Sequence, residues 1–417
     1  METGLPTRVR VLVLGGGIHG VGVVHDLASR GWRDVLLVEK DTVGHGTSSR
    51  STKLIHGGLR YLRRISQFGM VAESLKERKL LIDLAGDLVK PIEFYYPILK
   101  KGGSPAIAIK TGLFLYDFLA GRQRLHRHSK VDLQTVAAHA PNLDLSKVSK
   151  VYSYFDGQTD DLALVQRVAS SAVNLGAQIF EHTKVVKITP CDDGWNVDLK
   201  LANGQIKTIS TLYIVNGLGP WAHSILEESG LKPTHAAVNN KGVHLILRNS
   251  MGLDRGLFLE SPDDGRIFFM IPWLEHVLLG TTEEKFDRNP DLLDVSEQDV
   301  NYLLERCNRY LHQPIVKNDI ISHFAGLRWL AVDQDRSLTK TSRESVVGEI
   351  VSNRGLLLTI YGGKLTSYRS LCEKIGNRIT EHFGEFRPSK TAEAVSWVTT
   401  SDLQFKVPSL LERFSSY

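Results

Sequence analysis

The near-continuous apolar run Arg8–Leu14, in which valine recurs, opens directly into Gly15-Gly16-Gly17-Ile18-His19-Gly20. That junction restricts the chain more than any other feature, because it asks for a buried strand, a turn almost free of side chains and an immediate helix. Apolar residues Ile18, Val21, Val24, Leu27 and Ala28 then recur at helical spacing as far as Arg30, and Gly31 supplies the stop. Asp34–Val38 is a second apolar strand, so strand, helix and strand follow within about 30 residues. In such a unit Gly15 permits the tight turn, Gly17 the close approach of a pyrophosphate, and Gly20 the packing of helix on strand. The helix N-terminus offers its amides to phosphate charge. Glu39, closing the second strand, is suited to accept hydrogen bonds from the hydroxyls of an adenine ribose. The expectation is dinucleotide binding, with NAD and FAD both open.

The next stretch, Gly44-His45-Gly46-Thr47-Ser48-Ser49, is a flexible polar crossing able to wrap an extended cofactor, where a simple NAD domain continues into regular alternation. With 417 residues, 42% of them hydrophobic and 23% charged, the chain has the composition of a folded protein with room for two domains. Lys53–Leu84 reads as mainly helical after Gly57-Gly58, whereas Pro91, Pro97, Gly102, Gly103 and Pro105 predict strands and turns over a cavity. Asp160–Leu175 reads as a helix and Gln178–Ile188 as a strand, followed by a hairpin of Trp195–Leu199 and Lys207–Val215 about Asn203-Gly204. Val243–Leu247, Ile267–Ile271 and Val277–Leu279 predict a mixed or antiparallel sheet. Gly355–Tyr361, Gly362-Gly363 and the helical pattern Leu365–Phe383 repeat the opening transition from strand to glycine to helix. The division that follows is a cofactor domain in three pieces, 8–90, 151–235 and 346–385. A cap segment, 91–150, and the main substrate domain, 236–345, are inserted between them, and 386–417 is a short tail.

His56-Gly57-Gly58-Leu59-Arg60-Tyr61 gathers an imidazole, close-approach glycines, a guanidinium and a phenol. It reads either as a glycine turn beside a basic helix or as an active-site wall, in which arginine binds phosphate or carboxylate and histidine takes a proton. Arg328 and Arg343 lie in polar connections between elements, and Lys364 follows Gly362-Gly363 at the start of a helix whose positive end also favours an anion. Thr366 adds a hydroxyl. No HExxH, P-loop or nucleophile elbow is present, which leaves metalloprotease, ATPase and esterase chemistry without support. Three dispersed cysteines give neither a disulfide framework nor a cysteine-built zinc site, so no metal is expected and a reducing compartment fits best.

In combination these residues resemble the FAD-dependent glycerol-3-phosphate dehydrogenases over nearly all of residues 8 to 385. The resemblance rests on Gly15 to Gly20, Thr47-Ser48-Ser49 through Tyr61, Asn216 to Trp221, Ile271-Pro272-Trp273, Gly280-Thr281-Thr282 and Gly362 to Arg369. It implies an α/β (α+β) fold: a Rossmann-like FAD-binding domain of the glutathione-reductase/D-amino-acid-oxidase type with an inserted mixed or antiparallel substrate sheet. It also implies noncovalent FAD, sn-glycerol 3-phosphate as substrate, dihydroxyacetone phosphate as product and membrane quinone as electron acceptor. By the same resemblance the cofactor lies against Gly15, Gly17, Gly20, Glu39, Thr47, Ser48, Ser49, Gly57, Gly219, Gly363 and Lys364. The substrate lies against His56, Arg60, Tyr61, Arg328, Arg343, Lys364 and Thr366. His56 is the preferred acceptor of the C2 hydroxyl proton, with Arg328 close enough in the family to take part. Trp329 stands where the family commonly has proline, and the tail takes the place of a longer helical domain found in many members.

Net charge is only +5, weak grounds for a nucleic-acid partner, and none is expected. No signal peptide or apolar run long enough to span a membrane is evident. Between Lys100 and Lys130, however, seven Lys or Arg residues and one acid, Asp117, surround apolar Leu113 to Leu119. That pattern is either a buried helix with a solvated basic turn or a surface attaching to anionic lipid. With the resemblance, it predicts peripheral attachment to the cytoplasmic face of the cell membrane; a homo-oligomer is compatible. The competing readings are a related FAD oxidase of a small amine or hydroxy acid, and a noncatalytic FAD-binding membrane protein.

Overall fold

The computed structural model describes residues 4–332, 345–405, 407–408 and 410–414. The strand Arg8–Leu14 is fully formed and the helix Ile18–Ser29 follows it. This strand lies between Val35–Val38 and Ile206–Asn216, parallel to both. The main path of the eight-stranded first sheet is Val346–Ser352, Gly355–Tyr361, Ile206–Asn216, Arg8–Leu14, Val35–Val38 and Gln178–Phe180, with Gly194–Lys200 also paired to Ile206–Asn216 and Lys184–Cys191 beyond it. Register aligns Leu14 with Val38 and Asn216, and Asn216 with Thr359, so the carboxyl ends of three strands finish at one level and Gly355–Tyr361 runs two residues past it. In open parallel sheets that edge is where ligands bind. The helices Ile18–Ser29, Asp161–Asn174 and Tyr368–His382 bury their apolar sides together over one face.

The second sheet runs Glu284–Lys285, Ala237–Arg248, His276–Gly280, Ile267–Trp273, Gly256–Glu260, Val89–Leu99, Val148–Thr159 and Leu54–Ile55. Ile320–Ala331 also pairs with Ala237–Arg248, and Ser129–Val131 with Val148–Thr159. Only Gly256–Glu260 against Val89–Leu99 is parallel among its described pairings, so the sheet is mixed and mainly antiparallel. The chain therefore passes between the sheets repeatedly: Leu54–Ile55 and Val148–Thr159 belong to the second, whereas Asp161–Asn174 already packs on the first.

Several local expectations are corrected. Gln178–Ile188 is two strands, broken where His182 takes φ +53; Gln178–Phe180 completes the first sheet and Lys184–Cys191 forms a hairpin with Gly194–Lys200. The break lets Glu39 N donate to Phe180 O and Thr183 N donate to Glu39 O, which fixes the end of the second strand. Val89–Leu99 runs straight through Pro91 and Pro97, and the segment after Pro105 is a helix, Ala106–Ala120. Arg328 lies within a strand, opposite Asn240, because Ile320–Ala331 pairs along most of its length. The helix expected over Leu365–Phe383 begins only at Tyr368, so Lys364 belongs to the preceding loop and not to a helix end.

Near the C-terminus, Arg413 donates to both carboxylate oxygens of Asp160 at 2.8 and 2.9 Å, and Phe414 stacks on Phe324. Phe414, Phe324 and Trp273 surround the ammonium of Lys53 at 5.1 to 5.5 Å. Lys53 and Asp161 are both fully buried and bond at 2.6 Å. Burial lowers the pKa of Lys53, and the charge of Asp161 opposes that shift. Among the described residues no helix is long and apolar enough to cross a membrane.

Candidate active site

A cavity of about 610 Å³ follows the carboxyl edge of the first sheet and continues under the second. Its nucleotide end is built by the opening glycine turn. Gly15 has φ +98, and a Cβ there would meet Gly217 O at 2.9 Å; at Gly20 a Cβ would overlap Gly15 O. Glu39 lines the cavity and accepts from Gly16 N at 2.6 Å and Asp41 N at 2.9 Å. Burial raises its pKa, against the lowering effect of those amides. Ser48 Oγ accepts from Ile18 N at 2.9 Å at the helix start, and Thr47 Oγ1 donates to Leu327 O at 2.8 Å, tying this loop to the second sheet. Farther out, Asp291 accepts from Lys40 Nζ at 2.6 Å and Trp221 Nε1 at 2.9 Å, while Lys40 sits 4.2 Å from the Trp221 ring centre. The short turn Pro290–Leu292 thus bridges the two halves across this end.

At the other end His56, Arg60, Tyr61, Arg328, Lys364 and Thr366 line the same cavity. Gly58 at φ +87 precedes the 3-10 turn Leu59–Arg63, which carries Arg60 and Tyr61. The Tyr61 ring has the Arg60 guanidinium 5.1 Å and the Lys364 ammonium 4.6 Å from its centre. Such cation–π contacts hold two like charges near one wall. Arg60 Nη1 also bonds Glu283 at 3.1 Å, and Arg328 Nη2 donates to Thr281 Oγ1 at 2.8 Å. Buried Thr366 accepts from His56 N at 3.0 Å and donates to His56 O at 3.2 Å, fixing the backbone that carries the imidazole.

Gly15, Gly17, Glu39, Thr47, Ser48, Gly219, Gly363 and Lys364, expected at the cofactor, all line the cavity; Gly20, Ser49 and Gly57 do not. Gly57 N faces Tyr116 Oη at 2.9 Å and Asp156 at 3.3 Å, a network completed by Arg78 Nη1 donating to Asp156 at 2.7 Å. Arg343 lies outside the described residues. Sequence reasoning missed His19 and His244 as lining residues, along with the Phe258, Ile267 and Phe269 surface. His19 sits inside the glycine motif, the one available signal; His244 lies in a strand with no motif to mark it.

The residues fit FAD. A Cβ at Gly363, φ +116, would overlap the His19 ring, so imidazole and backbone meet beside the cavity. Among the described residues, His19 Nε2, His244 Nδ1 and Trp329 Nε1 are buried polar atoms of lining residues with no protein partner, suited to the polar edges of such a group. The glycine turn would hold the pyrophosphate and Glu39 the ribose.

Together the parallel sheet, the glycine turn and a cavity roofed by an antiparallel sheet define an FAD-dependent oxidoreductase. A family profile for FAD dependent oxidoreductases matches residues 10–369. Within that class, the chain belongs to the FAD-dependent glycerol-3-phosphate dehydrogenase family. It is 34% identical over 387 residues to a glycerol-3-phosphate dehydrogenase of Pseudomonas tolaasii, covering 92% of this chain and 74% of that protein. It is 33% identical over 392 residues to a D-erythritol 1-phosphate dehydrogenase of Brucella abortus, covering 93% and 77%. The crystal structure of glycerol-3-phosphate dehydrogenase from Bacillus halodurans complexed with FAD superposes with a TM-score of 0.74 at 26% identity, covering 93% of this chain and 67% of that one.

Proposed function

We propose that the protein oxidises sn-glycerol 3-phosphate at C2 to dihydroxyacetone phosphate, with membrane quinone as the electron acceptor. The observation that carries this reading is the convergence of Arg60, Arg328 and Lys364 with His56 on one cavity that also holds the glycine turn. Cations suit a phosphate dianion and its neighbouring oxygens, and partial withdrawal from water strengthens each contact. The chemistry supplied by bound FAD is acceptance of the C2 hydride and delivery of two electrons onward. Arg60 and Lys364 bind the phosphate, with Tyr61 holding the two cations at their spacing. Arg328 steadies the oxygen at C2, and His56 takes the hydroxyl proton while Thr366 keeps its backbone still. Phe258, Ile267 and Phe269 exclude water from the reacting carbon.

The helix Ala106–Ala120 supports peripheral attachment at the cytoplasmic face of the membrane. Leu113, Tyr116 and Ala120 face inward, whereas Ile107, Phe114 and Phe118 are 72%, 61% and 71% exposed, with Lys101, Lys110, Arg122 and Arg127 also exposed around them. Exposed aromatics rimmed by cations suit an anionic lipid surface.

Anaerobic mixing of the FAD-loaded protein with glycerol 3-phosphate, D-erythritol 1-phosphate or unphosphorylated glycerol tests the reaction. Rapid bleaching with glycerol 3-phosphate and none with glycerol is expected. Efficient bleaching by glycerol or an amino acid, but not by glycerol 3-phosphate, would overturn the assignment. Reoxidation by a soluble quinone analogue, compared with oxygen, tests the acceptor.

A further inference from the structure

Thr281, Thr282 and Glu283 follow the strand His276–Gly280 and hold both arginines of the substrate end. Arg328 donates to Thr281 Oγ1 at 2.8 Å and, more loosely, to Thr282 O at 3.4 Å. Glu283 takes Arg60 at 3.1 Å; its side chain is 12% exposed and that of Arg60 28%. Thr281 and Arg60 line the cavity, whereas Glu283 does not, although it bonds Arg60. A carboxylate in direct contact with a phosphate would repel it, so its place outside the lining is informative. There it engages one edge of the planar fork and leaves other donors for an anion. Arg60 rises from a single 3-10 turn, the Tyr61 ring lies under its guanidinium, and among the described residues Glu283 is its ion-pair partner.

We propose that Glu283 is a positioning residue for phosphate recognition: it orders Arg60 before substrate arrives, so that one short segment sets the separation of the Arg60 and Arg328 guanidiniums. This rests on the reaction proposed above and names a component of its phosphate subsite. The physical basis is preorganisation, since a long side chain that must be ordered on binding costs affinity and a neighbouring acceptor removes that cost. The effect belongs to binding, because no bond of the phosphate changes when C2 is oxidised, and it follows hydrogen-bond acceptance more than charge.

The test compares E283A, E283L and E283Q with the wild type, all FAD-loaded and checked for flavin stoichiometry and visible spectrum. E283A and E283L are expected to raise both the KM for glycerol 3-phosphate and the inhibition constant of inorganic phosphate by about tenfold, with kcat within about threefold. E283Q keeps an acceptor oxygen, and both constants should stay within about threefold of wild type. Should E283A come out without flavin, E283L fills the volume and carries the same expectation. Unchanged phosphate constants in a flavin-replete E283L, or a loss in E283Q as large as in E283L, would overturn the proposal. Wild-type flavin that stays oxidised with glycerol 3-phosphate would overturn the reaction instead. Inorganic phosphate binding, read from the shift in flavin absorbance, still tests Glu283 in that event.

Discussion

Replacing Asp161 with asparagine tests how the loop carrying Thr47 and Ser48 is held. One oxygen of Asp161 accepts from Lys53 Nζ at 2.6 Å and Leu162 N at 2.9 Å; the other accepts from Ser51 N at 3.0 Å and Ser51 Oγ at 2.7 Å. Lys53 Nζ also donates to Ser49 O at 2.6 Å, so one buried ion pair ties the helix Asp161–Asn174 to the cofactor loop. Asparagine can keep an oxygen toward Ser51 but turns an amide group toward a fully buried ammonium. Breaking such a pair on one side costs about 3–5 kcal/mol. At about 2.1 cal/mol/K per residue over 417 residues, the melting temperature should fall by roughly 3–6 °C if the chain melts as one unit. Flavin content after gel filtration should fall with it. Adding K53M removes the stranded charge, so the double variant should recover about 2 kcal/mol of the loss. The assays are calorimetry and flavin fluorescence released on denaturation. A drop below about 1 kcal/mol in D161N, or a double variant no better than the single, would refute the claim that this pair anchors the loop.

Burial lowers His19 and His25 to about 4 each, so both stay neutral in the fold while the unfolded chain protonates them near 6.5. Their stability contribution is present above pH 6.5 and is lost as pH falls toward 4. Each should cost about 1.4 kcal/mol per unit across that window, which chemical denaturation at stepped pH checks and which H25Q should flatten. G20A, whose methyl would overlap Gly15 O, should yield folded protein with less than about a tenth of wild-type flavin occupancy, measured by absorbance ratio. The pair F114S/F118S should weaken sedimentation with anionic vesicles by at least about tenfold while leaving flavin content unchanged; equal binding would remove this helix as the contact.

Much of the first sheet was legible because local chemistry dictates it. Arg8–Leu14, the glycine turn and Ile18–Ser29 need only β-branched burial, turn sterics and helical periodicity, and each lies where those rules put it. The departures arise where partners distant in sequence decide. Gln178–Ile188 is apolar enough for one strand, yet its two halves serve different neighbours, and only the fold shows the break at His182. Arg328 sits in a run interrupted by serine, histidine and glycine, and becomes strand through its long pairing with Ala237–Arg248. At the site, residues beside glycines announced themselves. His244 and Glu283 did not, since a histidine in an apolar strand and a glutamate in an acidic stretch carry no local mark.

The bridge made by Asp291, Lys40 and Trp221 bears on how the flavoprotein is assembled. Residues 8–39 leave the ribosome long before residue 291, so the nascent nucleotide pocket is open to solvent while its roof is still unmade. In the finished molecule the turn Pro290–Leu292 spans that end of the cavity, so exchange of an old flavin for a new one should quicken where its ion pair with Lys40 is weakened. Loading during synthesis and replacement afterwards are therefore different kinetic problems, and high salt, which screens a surface ion pair, should ease the second without touching the first.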